Sequence, residues 1–236
     1  EPLYTVEDAE AVSQYMTRCE YGQVIDLCDG VEVEFVDAGH LLGSAFIAMD
    51  VTEGDEKRRI VFSGDIGNES QTIIRAPVFI SGADYVVMES TYGDRNHTET
   101  WNYAADLARI IDMTMAKGGN LVIPAFAVGR TQELLYFIRE IKEQGLVKSF
   151  PDFPVYIDSP LARRATSIFT GDLHGYLDDE AMKLIKDGTR LFHFPNLRMT
   201  ETMEESKFLN MDPTPKVILS ASGMCDAGRI RHQIGR

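Results

Sequence analysis

Apolar positions along this chain switch between two periods, and the switches divide it into elements. VEVEF (31–35) alternates strictly, as a strand with one solvated face does. SAFIAMDV and RRIVFSG follow, separated by the polar turn TEGDEK, which suits a hairpin. ADYVVMEST (83–91) is a short apolar run and reads as a buried strand. Ahead of these, TVEDAEAVSQYM (5–16) opens with Thr5 and Asp8 in capping-box spacing and reads as a helix.

Beyond residue 97 the units lengthen. A helix is predicted near 98–117, then the strand NLVIPAF (120–126), the helix RTQELLYFIREIKEQG (130–145) and the strand PVYIDSP (154–160). Shorter helices fill about 161–209, and the strand KVILSAS (216–222) leads to a helical start in GRIRHQI. Strand, crossover helix, strand is the rhythm of a parallel sheet with helices on its faces. The predicted fold class is therefore α/β, in two regions that meet near 92–98.

Composition narrows the setting. With 236 residues, 44% of them hydrophobic, the chain has material for one good-sized core or two small ones. No apolar run reaches the roughly 18 residues of a membrane-spanning helix, and nothing reads as a secretion signal. Cys19, Cys28 and Cys225 form no CxxC pair, which argues against a disulfide scaffold or a cysteine zinc site and for a reducing cytoplasm. A formal net charge of −14 disfavours a broad polyanion-binding surface. Any nucleic acid has to be met by a local basic groove or a metal centre.

Candidate chemistry gathers at the predicted strand ends, which finish in SGD, EST, PAF before AVGR, DSP and SASG. In open α/β sheets ligands sit beyond the carboxyl ends of the strands, so this recurrence marks a polar cleft. His40 and Asp65 both stand on glycine-flanked turns after strands. Imidazole and carboxylate suit zinc or another first-row metal, although such a pair serves equally well as a turn histidine and a turn cap. Arg130, opening the helix after AVGR, has a guanidinium that can fork onto a phosphate. Ser222 and Gly223 end a strand ahead of a helical start, where backbone N–H groups hold anions without net positive charge. Ser159 offers a further hydroxyl. Each has an ordinary alternative: glycines for turns, serines for caps, Arg130 in a surface ion pair. His97 reads as a helix cap, His174 as part of a surface turn, and His193 as a packed loop residue between Phe192 and Phe194. Asp94 and Arg95 are expected to pair locally.

Taken in order, DAGHLLGSA, FSGDIGN, VVMESTYGDR, GGNLVIPAFAVGRTQELLY, VYIDSPLA, ESKFLN and VILSASGMCDAGRI resemble the blocks of the β-CASP family of metallo-β-lactamase-fold nucleases. That family includes the endonuclease subunit of the mRNA 3′-end cleavage machinery and its bacterial and archaeal relatives. The resemblance covers nearly the whole chain. It implies a partial metallo-β-lactamase αββα domain in 1–97 and an inserted β-CASP domain, with a mainly parallel sheet, in 98–236. It also implies a zinc-dependent RNA nuclease in which His40 binds one metal of a dinuclear zinc site and Asp65 bridges the two. Glu89 matches the acidic residue of the first β-CASP motif and is expected to be a catalytic-site carboxylate.

One departure qualifies this. The family's HxHxDH motif is absent, as are its later histidine motifs; none of His40, His97, His174, His193 and His232 belongs to the first. Two ligands do not fill two zinc spheres. The resemblance therefore predicts an internal fragment of a larger nuclease, inactive alone, with apolar surface exposed on a half-built first domain unless a partner or second copy covers it. RNA is the implied partner, with a homodimer or an RNA-processing complex as further options and no membrane. Two other readings stay open: a non-catalytic scaffold subunit, and a fold relative hydrolysing DNA or another ester.

Overall fold

A computed structural model describes residues 3–96, 102–171 and 173–234. The chain divides into two units, Glu1–Asn68 with Pro77–Ser90, and Glu69–Ala76 with Thr91–Arg236. The division thus falls after Ser90 rather than at 97, and Glu69–Ala76 joins the second unit. Hydrogen bonding explains that transfer. The Ile73 N–H donates to Asp178 Oδ2 at 2.9 Å, the Asp178 N–H donates back to the Ile73 carbonyl, and Ile74 forms a bridge with Leu177.

The first unit opens with α1 (Val6–Ala11), capped as its sequence predicts: Thr5 Oγ1 accepts from the Asp8 N–H while the Asp8 carboxylate accepts from the Thr5 N–H. It is shorter than 5–16, continues as a 3₁₀ turn over Val12–Tyr15, and buries none of its residues. Five strands follow: β1 (Val24–Cys28), β2 (Val31–Asp37), β3 (Ala45–Glu53), β4 (Glu56–Phe62) and β5 (Tyr85–Val87). They lie in the order β1-β2-β3-β4-β5. The hairpin between β3 and β4 is as expected, with Ile47 opposite Phe62 and Glu53 opposite Glu56. Phe46, Ala48 and Val61 share one buried face, and Val33, paired with Met49, is buried on the other.

Two features differ from the sequence reading. β1 is absent from the sequence reading, because VIDLC does not alternate cleanly, although the Asp29-Gly30 turn before VEVEF is a hairpin signal. β5 is a strand but not a buried one: Val86 is 58% exposed. It is an edge strand, paired among the described residues with β4 alone, and an apolar run cannot reveal whether its strand is central or peripheral.

The second unit contains α2 (Tyr103–Ala116), β6 (Leu121–Pro124), α3 (Arg130–Glu143), β7 (Val155–Asp158), α4 (Pro160–Phe169), α5 (Asp179–Lys186), β8 (Leu197–Met199), α6 (Met203–Leu209), β9 (Val217–Ser220) and α7 (Ile230–Ile234). Its sheet has the order β6-β9-β7-β8, with every pairing parallel. Every residue of β7 and β9 is buried, the mark of central parallel strands covered on both faces. Ile111 of α2, with Leu135, Ile138 and Ile141 of α3, supplies fully buried helix side chains. β8 was missed; LRM is too short to show a period. The α/β class and the parallel sheet are as predicted. Among the described residues, no helix is long and apolar enough to cross a membrane.

Candidate functional site

In the first unit, β2 and β4 are each antiparallel to β3, and β5 is parallel to β4. The carboxyl ends of β2, β4 and β5 therefore share one sheet edge, and they carry His40, Asp65 and Glu89 respectively. The His40 turn is internally bonded. Asp37 Oδ1 accepts from the Gly39 N–H at 2.9 Å, and Ser44 Oγ accepts from the His40 and Leu41 N–H groups at 3.0 and 3.1 Å. Tyr21 donates its hydroxyl to the Ser44 carbonyl at 2.8 Å, anchoring the turn from outside.

Gly67 locks the Asp65 loop onto that turn. Its N–H donates to the Ala38 carbonyl at 2.9 Å, and a Cβ there would lie 1.8 Å from the Gly39 oxygen. Only glycine permits this approach. Glu89 braces the same loop from β5: Oε1 accepts from the Ile66 N–H at 2.6 Å, and the Glu89 N–H donates to Ser63 Oγ at 3.0 Å. Ser63 in turn donates its hydroxyl to the Gly64 carbonyl.

The outcome is His40 Nε2 standing 3.8 Å from Asp65 Oδ2, with side chains 40% and 75% exposed. That separation is too long for a hydrogen bond. Two donors at about 2.0–2.2 Å on a tetrahedral zinc stand roughly 3.3–3.6 Å apart, so this pair is a few tenths of an ångström wider than two such positions require. The fit is partial: among the described residues no group of three or more His, Cys, Asp and Glu side chains is arranged to hold a metal.

In the second unit, the all-parallel sheet brings every strand's carboxyl end to one edge, as the sequence predicts for a polar cleft. The individual side chains there have defined roles. Arg130 opens α3 and is 62% exposed, with Nη1 paired to Glu133 Oε2 at 2.5 Å. Burial holds the Glu133 carboxyl above its ordinary pKa, against the opposing pull of Arg130. Ser159 is the N-cap of α4: its buried Oγ accepts from the Ala162 N–H at 3.2 Å. Ser222 donates its hydroxyl to Asp226 Oδ1 at 2.6 Å and accepts from the Met224 N–H. That hydroxyl is the leading reason the Asp226 carboxyl sits below its usual range. Gly223 lies beneath the ring of Phe126.

Sequence reasoning passed over the polar centre of this edge. Asp158, fully buried at the end of β7, accepts from four side chains. Oδ1 takes Thr200 Oγ1 at 2.6 Å and Arg229 Nη1 at 3.2 Å; Oδ2 takes Ser206 Oγ at 2.8 Å and Gln233 Nε2 at 2.9 Å. One acid thereby ties the end of β7 to the segment after β8, to α6 and to α7. The available signal was an acid closing the otherwise apolar run VYID, which when buried must be paired.

Among the histidines, His174 occupies an exposed turn as expected, whereas His193 is exposed rather than packed: Phe192 and Phe194 on either side take the buried positions. His97 lies outside the described residues. Asp94 and Arg95 pair at 3.7 Å, with Arg95 also over the Tyr92 ring.

Comparison with known proteins agrees with the blocks noted in the sequence. Residues 131–236 match the Beta-Casp domain. Across 99% of its length the chain is 36% identical to Ribonuclease TTHA0252 of Thermus thermophilus, covering 52% of that protein. It is 32% identical over 89% of its length to Transcription termination factor FttA of Methanosarcina mazei, covering 33%. It is 29% identical over 98% of its length to Endoribonuclease YSH1 of Eremothecium gossypii, covering 29%. The chain therefore spans about half the length of the first relative and about a third of the other two.

Proposed function

The chain belongs to the β-CASP family of metallo-β-lactamase-fold proteins, and on that premise we propose that it forms part of a metal-dependent nuclease hydrolysing phosphodiester bonds in RNA. The observation that carries this reading is the His40–Asp65 pair on the shared edge of β2 and β4. The names of two relatives, a ribonuclease and an endoribonuclease, support RNA as the substrate class. Three free cysteines among the described residues suit the cytoplasm as its location.

The residues divide the work as follows. His40 and Asp65 would supply two of the donors for a zinc centre. Zinc held there would supply Lewis-acid chemistry, activating water and offsetting negative charge on a phosphoryl group. Glu89 acts as a positioning residue: through the Ile66 N–H it fixes the loop that presents Asp65. Gly67 holds that loop against the His40 turn. In the second unit, Arg130 is assigned to a substrate phosphate, exchanging its exposed ion pair with Glu133 for a charge-assisted contact. Ser222 and Gly223 present loop backbone to the nucleic acid, and Ser159 keeps the β7–α4 turn in shape.

The test is cleavage of a labelled single-stranded RNA and of the DNA strand of the same sequence by the complete protein, with and without EDTA. RNA cleavage that stops on chelation supports the proposal. Cleavage that survives complete metal removal defeats the mechanism, and a preference for DNA defeats the substrate assignment.

A further inference from the structure

The carboxyl edge of the parallel sheet holds one exposed aromatic ring that the second unit's packing leaves unexplained. Phe126 follows β6 and is 61% exposed. Its backbone is fixed, since the Phe126 carbonyl accepts from both the Thr131 hydroxyl at 2.7 Å and the Thr131 N–H at 3.3 Å. The ring rests on Gly223. A Cβ placed on Gly223 would stand 3.2, 3.3 and 3.4 Å from Cε2, Cδ2 and Cγ of the ring. Near-equal distances to three consecutive ring carbons arise only when the approach is to the ring's face; an approach within its plane would favour one atom by nearly an ångström. One face of Phe126 is therefore seated on glycine backbone, and the large remaining exposure belongs to the rest of the ring.

An aromatic ring supported on one side and open on the other is the arrangement that stacks an unpaired base. Its cost in water is otherwise hard to account for: the ring buries little of its own surface. We propose that Phe126, seated on Gly223, is a stacking platform for an unpaired nucleobase of the substrate strand. This rests on the RNA reading above and adds a base-contacting position to it. Stacking is tolerant of sequence because every base has a π-face, so the platform would position the strand without selecting a base. The requirement for glycine at 223 follows from the same geometry, because any Cβ would press on the seated face.

The experiment measures binding of the complete protein, in EDTA to prevent cleavage, to fluorescein-labelled oligoadenylate and to an abasic ribose-phosphate oligomer of equal length. Wild type is expected to bind oligoadenylate more tightly than the abasic oligomer. Phe126→Ala should weaken oligoadenylate binding by roughly 5- to 160-fold, the range for losing one aromatic–base stack, and leave the abasic oligomer unaffected. Phe126→Leu, which keeps apolar bulk, should behave like Phe126→Ala, and Phe126→Trp should retain the preference. If wild type binds both oligomers equally, or if Phe126→Ala weakens both alike, the platform is overturned while the RNA reading stands. If wild type binds neither, the RNA reading fails and takes the platform with it.

Discussion

Removing the Asp158 carboxylate should destabilise the second unit more than any other single truncation at its sheet edge. Asp158→Ala removes an acceptor shared by the hydroxyls of Thr200 and Ser206, the amide of Gln233 and the guanidinium of Arg229. Breaking a buried ion pair by deleting one partner costs about 3–5 kcal/mol. The lower end applies here, since Arg229 keeps bonds to the Glu201 carbonyl at 2.8 Å and to Thr200 Oγ1 at 3.0 Å. Asp158→Asn should cost less, about 1–3 kcal/mol. Gln233 Oε1 is buried without a hydrogen-bond partner, so a flip of that amide offers the new NH₂ group an acceptor. The double variant Asp158→Ala/Arg229→Met removes the orphaned charge as well and should be more stable than the sum of the single losses, by at least about 1 kcal/mol. Urea denaturation followed by circular dichroism reads these differences as shifts of midpoint at constant slope. An Asp158→Ala variant within about 1 kcal/mol of wild type, or strictly additive single losses, would refute the assignment of Asp158 as the centre of this network.

Three shorter predictions concern the first unit's loops and one half-buried amine. Gly67→Ala places a methyl group 1.8 Å from the Gly39 oxygen, so the two loops must part; a loss of about 2 kcal/mol or more with weakened zinc binding is expected by denaturation and metal titration. If Glu89 acts through the Ile66 N–H, Glu89→Gln, which keeps an acceptor, should retain most activity, whereas Glu89→Ala should lose roughly 10- to 100-fold. Equal losses, with a changed pH profile in Glu89→Gln, would instead mark Glu89 as a proton carrier. Burial pushes the Lys142 ammonium from its ordinary 10.5 down to about 8. Between those values the unfolded chain holds the proton and the folded chain does not, so this group makes stability rise with pH across that window. Lys142→Met should flatten the rise in a series of melts from pH 7.5 to about 10.5.

How legible these features were in the sequence depends on how far apart their partners lie. The positions of His40 and Asp65 were readable because each sits in its own short glycine-flanked turn at a strand end, whereas their reading as metal donors came only from the family resemblance. The parallel sheet was readable from the strand–helix rhythm. Ser159 looked like a free hydroxyl, yet Pro160 beside it is a common first helical residue, and that pairing favours a cap. The Asp158 network was hidden for a different reason. Its partners stand 42, 48, 71 and 75 residues away, at Thr200, Ser206, Arg229 and Gln233. No local pattern encodes such a convergence; only the parallel order β6-β9-β7-β8 creates it. The exposure of β5 was hidden likewise, because edge position belongs to topology and not to composition.

The measurement closest to the central claim is zinc content and RNA cleavage determined together on the complete protein, for wild type, His40→Ala and Asp65→Asn, each shown to be folded by circular dichroism. The account predicts that both variants bind less zinc than wild type and that cleavage falls with it, by at least about 1000-fold for Asp65→Asn. Either variant keeping full zinc and full cleavage would contradict the role assigned to the edge shared by β2 and β4.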